Sequence, residues 1–286
     1  MGQGDAVMRK TAEIFGYIFC GVLCLLICSP VLLLMTLSLQ DETELLKAFS
    51  PLDGGGFSRP DLLPLYPAID NYKEILLYSP DFYTVFWNSL GMTAAVLGGQ
   101  LLIGVPAAWA FAKFKFRFKK LLFDIYVLLM LLPFQVTMLS QYILLDKTGL
   151  MDSRAAIILP AVFSAFPVFI MYRSFCAIPK EILDSARIDG AGEWRILFRI
   201  GLPMGSGGIT AAAVLGFLDF WNMVEQPLTF LKDKRLFPLS LYLPMLGKMS
   251  GGMLAASAVT LIPAVFIFVM GQDRLESGII SSAVKE

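Results

Sequence analysis

Six stretches of this chain contain no aspartate, glutamate, lysine or arginine and are long enough to cross a bilayer core, which takes about 20 mostly apolar residues. They run Ile14–Gln40, Phe82–Ala112, Ile125–Leu145, Ala155–Tyr172, Ile200–Leu218 and Met249–Gln272. A chain that must bury six such runs has few options in water. With 57% hydrophobic and 16% charged residues it lies well outside ordinary soluble domains, which carry roughly 45–50% and about 25%. Composition therefore excludes a soluble enzyme, a disordered chain and a small disulfide scaffold, and points to an all-α integral membrane protein. Allowing for flanking turns, the spans are expected at 14–40, 82–112, 121–145, 155–172, 200–222 and 249–272. The first exceeds the roughly 7–15 apolar residues of a signal-peptide core and lacks a small-x-small cleavage site before Asp41.

Lysine and arginine placement sets orientation. With the N-terminus inside, 14 basic residues fall on the inner side and 9 outside. The compact loop Lys113-Phe-Lys-Phe-Arg-Phe-Lys-Lys120 decides the matter, so both termini are expected inside. The outer segment 41–81 holds eight acidic and three basic residues, with Pro51, Pro60, Pro64, Pro67 and Gly54-Gly55-Gly56, and reads as irregular. Trp87 and Trp221 are expected at the outer interface and Trp109 at the inner one. Ala94-x3-Gly98 and Ala95-x3-Gly99 offer a small-residue face for close helix packing. Kinks are expected at Pro133, Pro160, Pro167, Pro203 and Gly205-Ser-Gly-Gly208.

The charged chemistry is sparse. Lys+Arg and Asp+Glu are equal at 23 each, so no basic face invites nucleic acid, and there is no histidine to serve as a general base or metal ligand. Cys20, Cys24 and Cys28 share one helix face, which suits packing better than an intramembrane metal site. No catalytic, metal or cofactor site is expected. Asp124 lies about one turn inside the third span, where an ion pair with the basic inner loop is expected. Asn88, Gln135, Thr137, Gln141, Ser164 and Asn222 are the polar residues that need a reason to sit in lipid. They line a translocation path or make ordinary interhelical hydrogen bonds.

The inner segment 173–199 is too patterned for a simple turn. Pro179 suits a first helical position and Glu181 the acidic first turn. Ile182, Leu183 and Ala186 make an apolar face, with Asp184 and Arg187 away from it. Asp189-Gly190 stops the helix and turns the chain into a second one that enters the fifth span at Pro203. Such a bend is either a knob for a partner's groove or an interfacial helix lying on lipid.

Pro179-Lys-Glu-Ile-Leu-Asp-Ser-Ala-Arg-Ile-Asp-Gly-Ala191 followed by Ile200-Gly-Leu-Pro203 resembles the "EAA" loop of binding-protein-dependent ABC importers. Asp184, Ser185 and Ala186 occupy the triplet and Gly190 the glycine. Ile200, Leu202 and Pro203 occupy the closing signature. Asn71-Tyr72, Asn88-Ser89-Leu90, Ala107-Ala-Trp-Ala-Phe111, Gly149-Leu-Met-Asp-Ser153, Trp221-Asn222, Pro227-Leu228, Gln272, Gly278 and Ala283-Val-Lys285 extend the likeness over nearly the whole chain. It is similar in particular to the maltose-type permease subunits for carbohydrates. Two departures stand out: Asp184 replaces the triplet's leading glutamate, and Gly205-Ser-Gly-Gly208 follows the Leu-Pro where the family usually has a further proline.

The resemblance implies six transmembrane helices in a type I importer permease architecture, N-in and C-in. It implies a multi-pass subunit of the bacterial inner membrane that pairs with a second permease subunit. Two ATP-binding subunits would hold ATP and Mg, and an extracytoplasmic binding protein would deliver a sugar or oligosaccharide onto outer segments such as 219–248. Coupling to the ATPase would run through the 180–192 helix, by way of Glu181, Asp184, Ser185, Ala186, Asp189, Gly190 and Ala191. The chain has no phosphate-binding loop, since Gly247-Lys248 lacks the motif's other glycine. The alternative is an ion-coupled secondary transporter of a small solute. It would need carboxylates or histidines near the midplane and an internal repeat.

Overall fold

A computed structural model describes residues 3–53, 63–65, 67–246 and 250–283 of the chain; Gly54-Gly55-Gly56, Gly247-Lys248, Met249 and Lys285 lie outside them. The described residues are helices joined by turns, and they divide into two compact units, Met1–Ser79 with Leu246–Thr260 and Pro80–Met245 with Leu261–Glu286. Four helical stretches are long and apolar enough to cross a membrane, and two bent helix pairs bring the number to six if each crosses as one span.

The first unit contains α1 (Gln3–Leu37), α2 (Glu42–Asp53) and α3 (Asp70–Lys73), the last continued by a wider turn to Tyr78. The expectation of an irregular 41–81 segment is corrected by α2. The Asp41 carboxylate accepts from the Thr43 amide and hydroxyl while Glu42 and Glu44 fill the first turn, a readable helix start. Leu37, Leu45 and Leu254 form the small core of this unit. The Asn71-Tyr72 pair fastens the end of α1: Asn71 Nδ2 donates to the Gln40 carbonyl at 2.9 Å and the Tyr72 and Ser38 hydroxyls lie 2.6 Å apart. A Cβ on Gly251 would come within 2.4 Å of the Asn71 amide.

The second unit holds α4 (Pro80–Lys113), α5 (Lys119–Met130), α6 (Phe134–Lys147), α7 (Arg154–Val162), α8 (Ala165–Cys176), α9 (Lys180–Ile188), α10 (Glu193–Ile196), α11 (Leu202–Met204), α12 (Ser206–Trp221), α13 (Glu225–Phe230) and α14 (Leu239–Tyr242). The last helix, α15 (Gly251–Ala283), begins in the first unit and ends in the second. Helix α4 is the hub, with α7, α8 and α12 packed along it. Of the expected small-residue face, Gly99 is used, since a Cβ there would meet Val162 at 2.4 Å, whereas Gly98 faces open space. Gly104, against Met171 at 2.8 Å, continues the contact.

Three interruptions have identifiable causes. Between α5 and α6 the chain turns through 101°, because Pro133 is extended at ψ 151° and biases the residue before it away from helix. The expected third span is therefore a sharply broken pair. Between α7 and α8 the chain breaks at 163–164, where Pro167 cannot donate back into the preceding turn. The Ala161 carbonyl accepts from the Ser164 N–H at 3.1 Å and from Gln100 Nε2 at 2.9 Å. Before α12 the backbone widens over Leu197–Gly201, ahead of Pro203, and the pair bends by 71°. Gly205 and Gly208 let this bend press on α8, since Cβ atoms there would meet Phe175 and Ser174 at 2.4 Å.

Two expectations about aromatic anchoring are corrected. Trp87 is 62% exposed, but Trp109 and Trp221 are buried at 2% and 1%. Trp221 stacks on Phe217 at 5.4 Å, and Trp109 meets Phe175 edge-on at 5.3 Å. Indoles near a span's ends serve helix packing as readily as the lipid interface. The expected ion pair of Asp124 is also absent: its side chain is exposed, and the ion pairs among the described residues lie elsewhere.

Candidate functional site

Two places in the second unit carry unusual chemistry. The first is the inner bend. Pro179, extended at φ −59° and ψ 140°, stands just ahead of α9 rather than as its first residue. Lys113, at the end of α4, donates from Nζ to the Ile178 carbonyl at 2.8 Å and fixes the entry. Leu183 alone of the α9 residues is buried, against a core that includes Trp109, Phe175, Ile178, Ile196 and Leu197. Ala186 and Ala191 are half-buried beside it, while Glu181, Ile182, Asp184, Ser185 and Asp189 face out.

The helix ends in two nested hydrogen bonds, Ala191 N–H to the Ala186 carbonyl and Gly190 N–H to the Arg187 carbonyl, each 3.0 Å. Gly190 sits at φ +80°, the left-handed conformation that this termination requires and glycine supplies without strain. Arg187 spans the bend. Its guanidinium donates to Asp184 Oδ1 at 2.8 Å and to Glu193 Oε1 at 2.9 Å. The Glu193 hydrogen bond is the main cause that raises the Arg187 pKa, with Asp184 adding to it. Asp184 is thus engaged by its own helix. Ile188 is 86% exposed, and the Trp194 and Phe198 rings stack at 6.1 Å on the outside of the bend.

The second place is a cavity of about 350 Å³ between α5, α6, α7, α8, α12 and α13. Thr137, Gln141 and Ser164 all line it, so three of the six polar residues singled out in the sequence come together. A neighbouring hollow of about 420 Å³ shares Phe134, Asp219, Phe220, Met223 and Gln226 with it and adds Asn222 and Glu225. Gln135 joins through its amide, which donates to Glu225 Oε1 at 2.8 Å. Within the wall Gln141 donates to Thr137 Oγ1 at 3.3 Å, and Asn222 to the Leu218 carbonyl at 2.9 Å.

Asn88 is placed apart from these hollows. It is buried, accepts from Arg154 at 2.7 Å and donates to the carbonyls of Arg235 and Phe237 at 2.6 and 3.2 Å. Ser89 Oγ accepts from the Leu239 amide at 2.7 Å. This pair ties α4 to the outer segment 235–239. Asp152 does the same for the 149–153 loop, its carboxylate accepting from the amides of Lys232 and Asp233 at 2.7 and 2.8 Å. Those two N–H groups hold its pKa below the usual aspartate value.

The residue missed in the sequence is Asp219. It lines both hollows, and no described hydrogen bond or ion pair engages its carboxylate. Its signal was its position, closing the fifth charge-free run within one turn of Trp221-Asn222.

Residues 100–281 match the family described as "Binding-protein-dependent transport system inner membrane component". Among curated relatives, the arabinooligosaccharides transport system permease protein AraQ of Halalkalibacterium halodurans is 29% identical over 284 residues, covering 97% of this chain and 99% of that protein. The sn-glycerol-3-phosphate transport system permease protein UgpE of Yersinia pestis is 26% identical over 281 residues, covering 96% and 98%. Among solved structures, a chain of a bacterial ABC transporter involved in the import of the acidic polysaccharide alginate superposes with a TM-score of 0.79 at 20% identity, covering 96% of this chain and 98% of that one.

Proposed function

Because the chain belongs to the inner-membrane components of binding-protein-dependent transport systems, we propose that it is the permease subunit of an ATP-driven importer for a sugar or oligosaccharide. An extracytoplasmic binding protein delivers the cargo, a second permease subunit completes the path, and two ATP-binding subunits hold ATP and Mg. The chain itself performs no hydrolysis. The N-terminus and the 173–199 segment face the cytoplasm.

The observation that carries the coupling role is the way α9 is mounted. Leu183 roots it in the same core as Trp109 and Phe175, and Arg187 locks it to α10. A push on the exposed face of Glu181, Asp184, Ser185 and Asp189 is therefore passed to α4, α8 and α12 as a rigid-body displacement. Gly190 and Ala191 form the corner about which that face is held. Because Asp184 already pairs with Arg187, docking rests on the shape and composite charge of this face rather than on one free carboxylate. The arabinooligosaccharide relative supports the carbohydrate assignment. The hydroxyls, amides and aromatic rings around the cavity support it too, since they suit a polyhydroxylated ring with apolar faces.

Affinity isolation of the chain from its membrane, followed by ATPase assay of what accompanies it, tests the reading. An ATP-binding subunit and a second permease are expected in the eluate. Asp184→Lys is expected to abolish the hydrolysis stimulated by loaded binding protein while the subunit still inserts. Normal stimulation in that variant, or isolation without any ATPase, overturns the coupling role.

A further inference from the structure

The relatives divide by the charge of their cargo. Arabinooligosaccharides are neutral, whereas sn-glycerol-3-phosphate and alginate are anions, and this chain is about equally distant from the two curated permeases. Sequence likeness therefore does not choose between the two classes. The cavity does. Neither hollow is lined by a lysine or an arginine, while the pair of them presents two carboxylates, Asp219 and Glu225. Glu225 is occupied by the Gln135 amide at 2.8 Å. Asp219 is bonded to nothing described and faces both hollows.

Asp219 stands in the last turn of α12 with its side chain exposed to these hollows, and an ionisable group at the end of a span that faces a cavity marks a functional position. No lysine or arginine in either lining offsets that charge, so an approaching anion meets uncompensated repulsion. A neutral sugar brings the opposite chemistry. Two adjacent hydroxyls can donate to the two carboxylate oxygens, and hydrogen bonds to a charged group are the strong ones. Thr137, Gln141, Ser164 and Gln226 ring the same space with further donors and acceptors. A hollow of about 350 Å³ lies within the range of small-ligand sites, roughly 300–1,000 Å³.

We propose that this subunit carries its own sugar subsite, in which Asp219 binds hydroxyls of an uncharged sugar and excludes anionic cargo. The inference rests on the carbohydrate importer reading and narrows it to neutral saccharides.

The test uses the complete transporter in lipid nanodiscs, without binding protein, and saturation-transfer NMR with arabinotriose and with its aldonic acid. In the unaltered transporter the arabinotriose signal should exceed that of the acid by about tenfold or more, the scale of a hydrogen bond to a charged group. Asp219→Asn should lower the arabinotriose signal about fivefold and bring the two ligands within about twofold of each other. Asp219→Glu should keep the preference, which separates charge from a packing role. Equal signals for both ligands, no signal for either, or an unchanged preference in Asp219→Asn would overturn the subsite. Binding-protein-driven uptake of a neutral sugar that is indifferent to Asp219→Asn would sink the subsite and leave the importer reading standing. Failure of the unaltered transporter to take up any sugar would remove that reading, and the subsite with it.

Discussion

The inner bend and the cavity treat charge in opposite ways. At the bend, Arg187 is held by two carboxylates, Lys113 is held by the Ile178 carbonyl, and glycine at φ +80° makes the corner. In the cavity, no hydrogen bond or ion pair among the described residues engages Asp219. A part that transmits force gains from having its polar groups satisfied internally, because slack would absorb the displacement. A part that receives a changing occupant gains from polar groups left available. The same chain thus uses its few charges for rigidity at the bend and for reception at the cavity.

The sharpest way to break this comparison is at the corner. Gly190→Val places a β-branched residue in a left-handed conformation, a strain of about 1–3 kcal/mol. Stimulated ATP hydrolysis is expected to fall about tenfold or more while arabinotriose binding in nanodiscs stays within about twofold. A parallel loss of both would mean that bend and cavity are not separable. Next in size, Leu183→Ala should destabilise the seat of α9 by about 2–5 kcal/mol. Hydrogen exchange should speed up across 180–201 and leave 134–147 unchanged; protection unaltered in both would remove Leu183 as the anchor.

Arg187→Ala should have a milder effect, since exposed ion pairs contribute little singly. A loss of about threefold in stimulated hydrolysis is expected, and Arg187→Lys should recover only part of it, because an ammonium is a poor substitute for the two-sided fork. Full activity in Arg187→Ala would show that the bend holds its shape without the clamp.

The smallest effect sharpens the contrast at a third carboxylate. Asp152 is satisfied by two backbone amides, and its pKa is lowered in the folded protein. Its contribution is then fully present above the ordinary aspartate range and is lost as pH falls through the lower folded value. Protection of the Lys232 and Asp233 amides, taken relative to intrinsic exchange at each pH, should fall only at such acidity, and Asp152→Asn should remove that change. Protection unchanged on acidification of the unaltered protein would show that the carboxylate does not hold this loop.

The spans were legible because hydrocarbon tolerates little else than apolar helix, and the stop at Asp189-Gly190 was legible because one backbone conformation calls for one residue. Asp219 escaped for a related reason. Runs defined by lacking charge end at the charge, so the fifth run stopped at Leu218, and extending the span to 222 took in Asp219 only as a flanking residue. Asn88 could not be assigned by sequence, since its partners at Arg235 and Phe237 are brought to it only by folding. The 101° turn at Pro133 was likewise half-visible: proline marks the site of a break, while packing of the flanking helices sets its angle.

At Gly205, in the turn before α12, and at Gly208, in its first turn, the backbone lies so close to Phe175 and Ser174 that even a methyl group would overlap. Heredity should feel this. Every single-nucleotide change that replaces either glycine adds at least a methyl group, so both codons have almost no neutral neighbours beyond their synonyms. Gly98, with nothing near it, is free to wander. Lineages descended from this chain should accumulate alanines and serines at the one and keep the other two fixed, a record that population sequencing can read without purifying the protein.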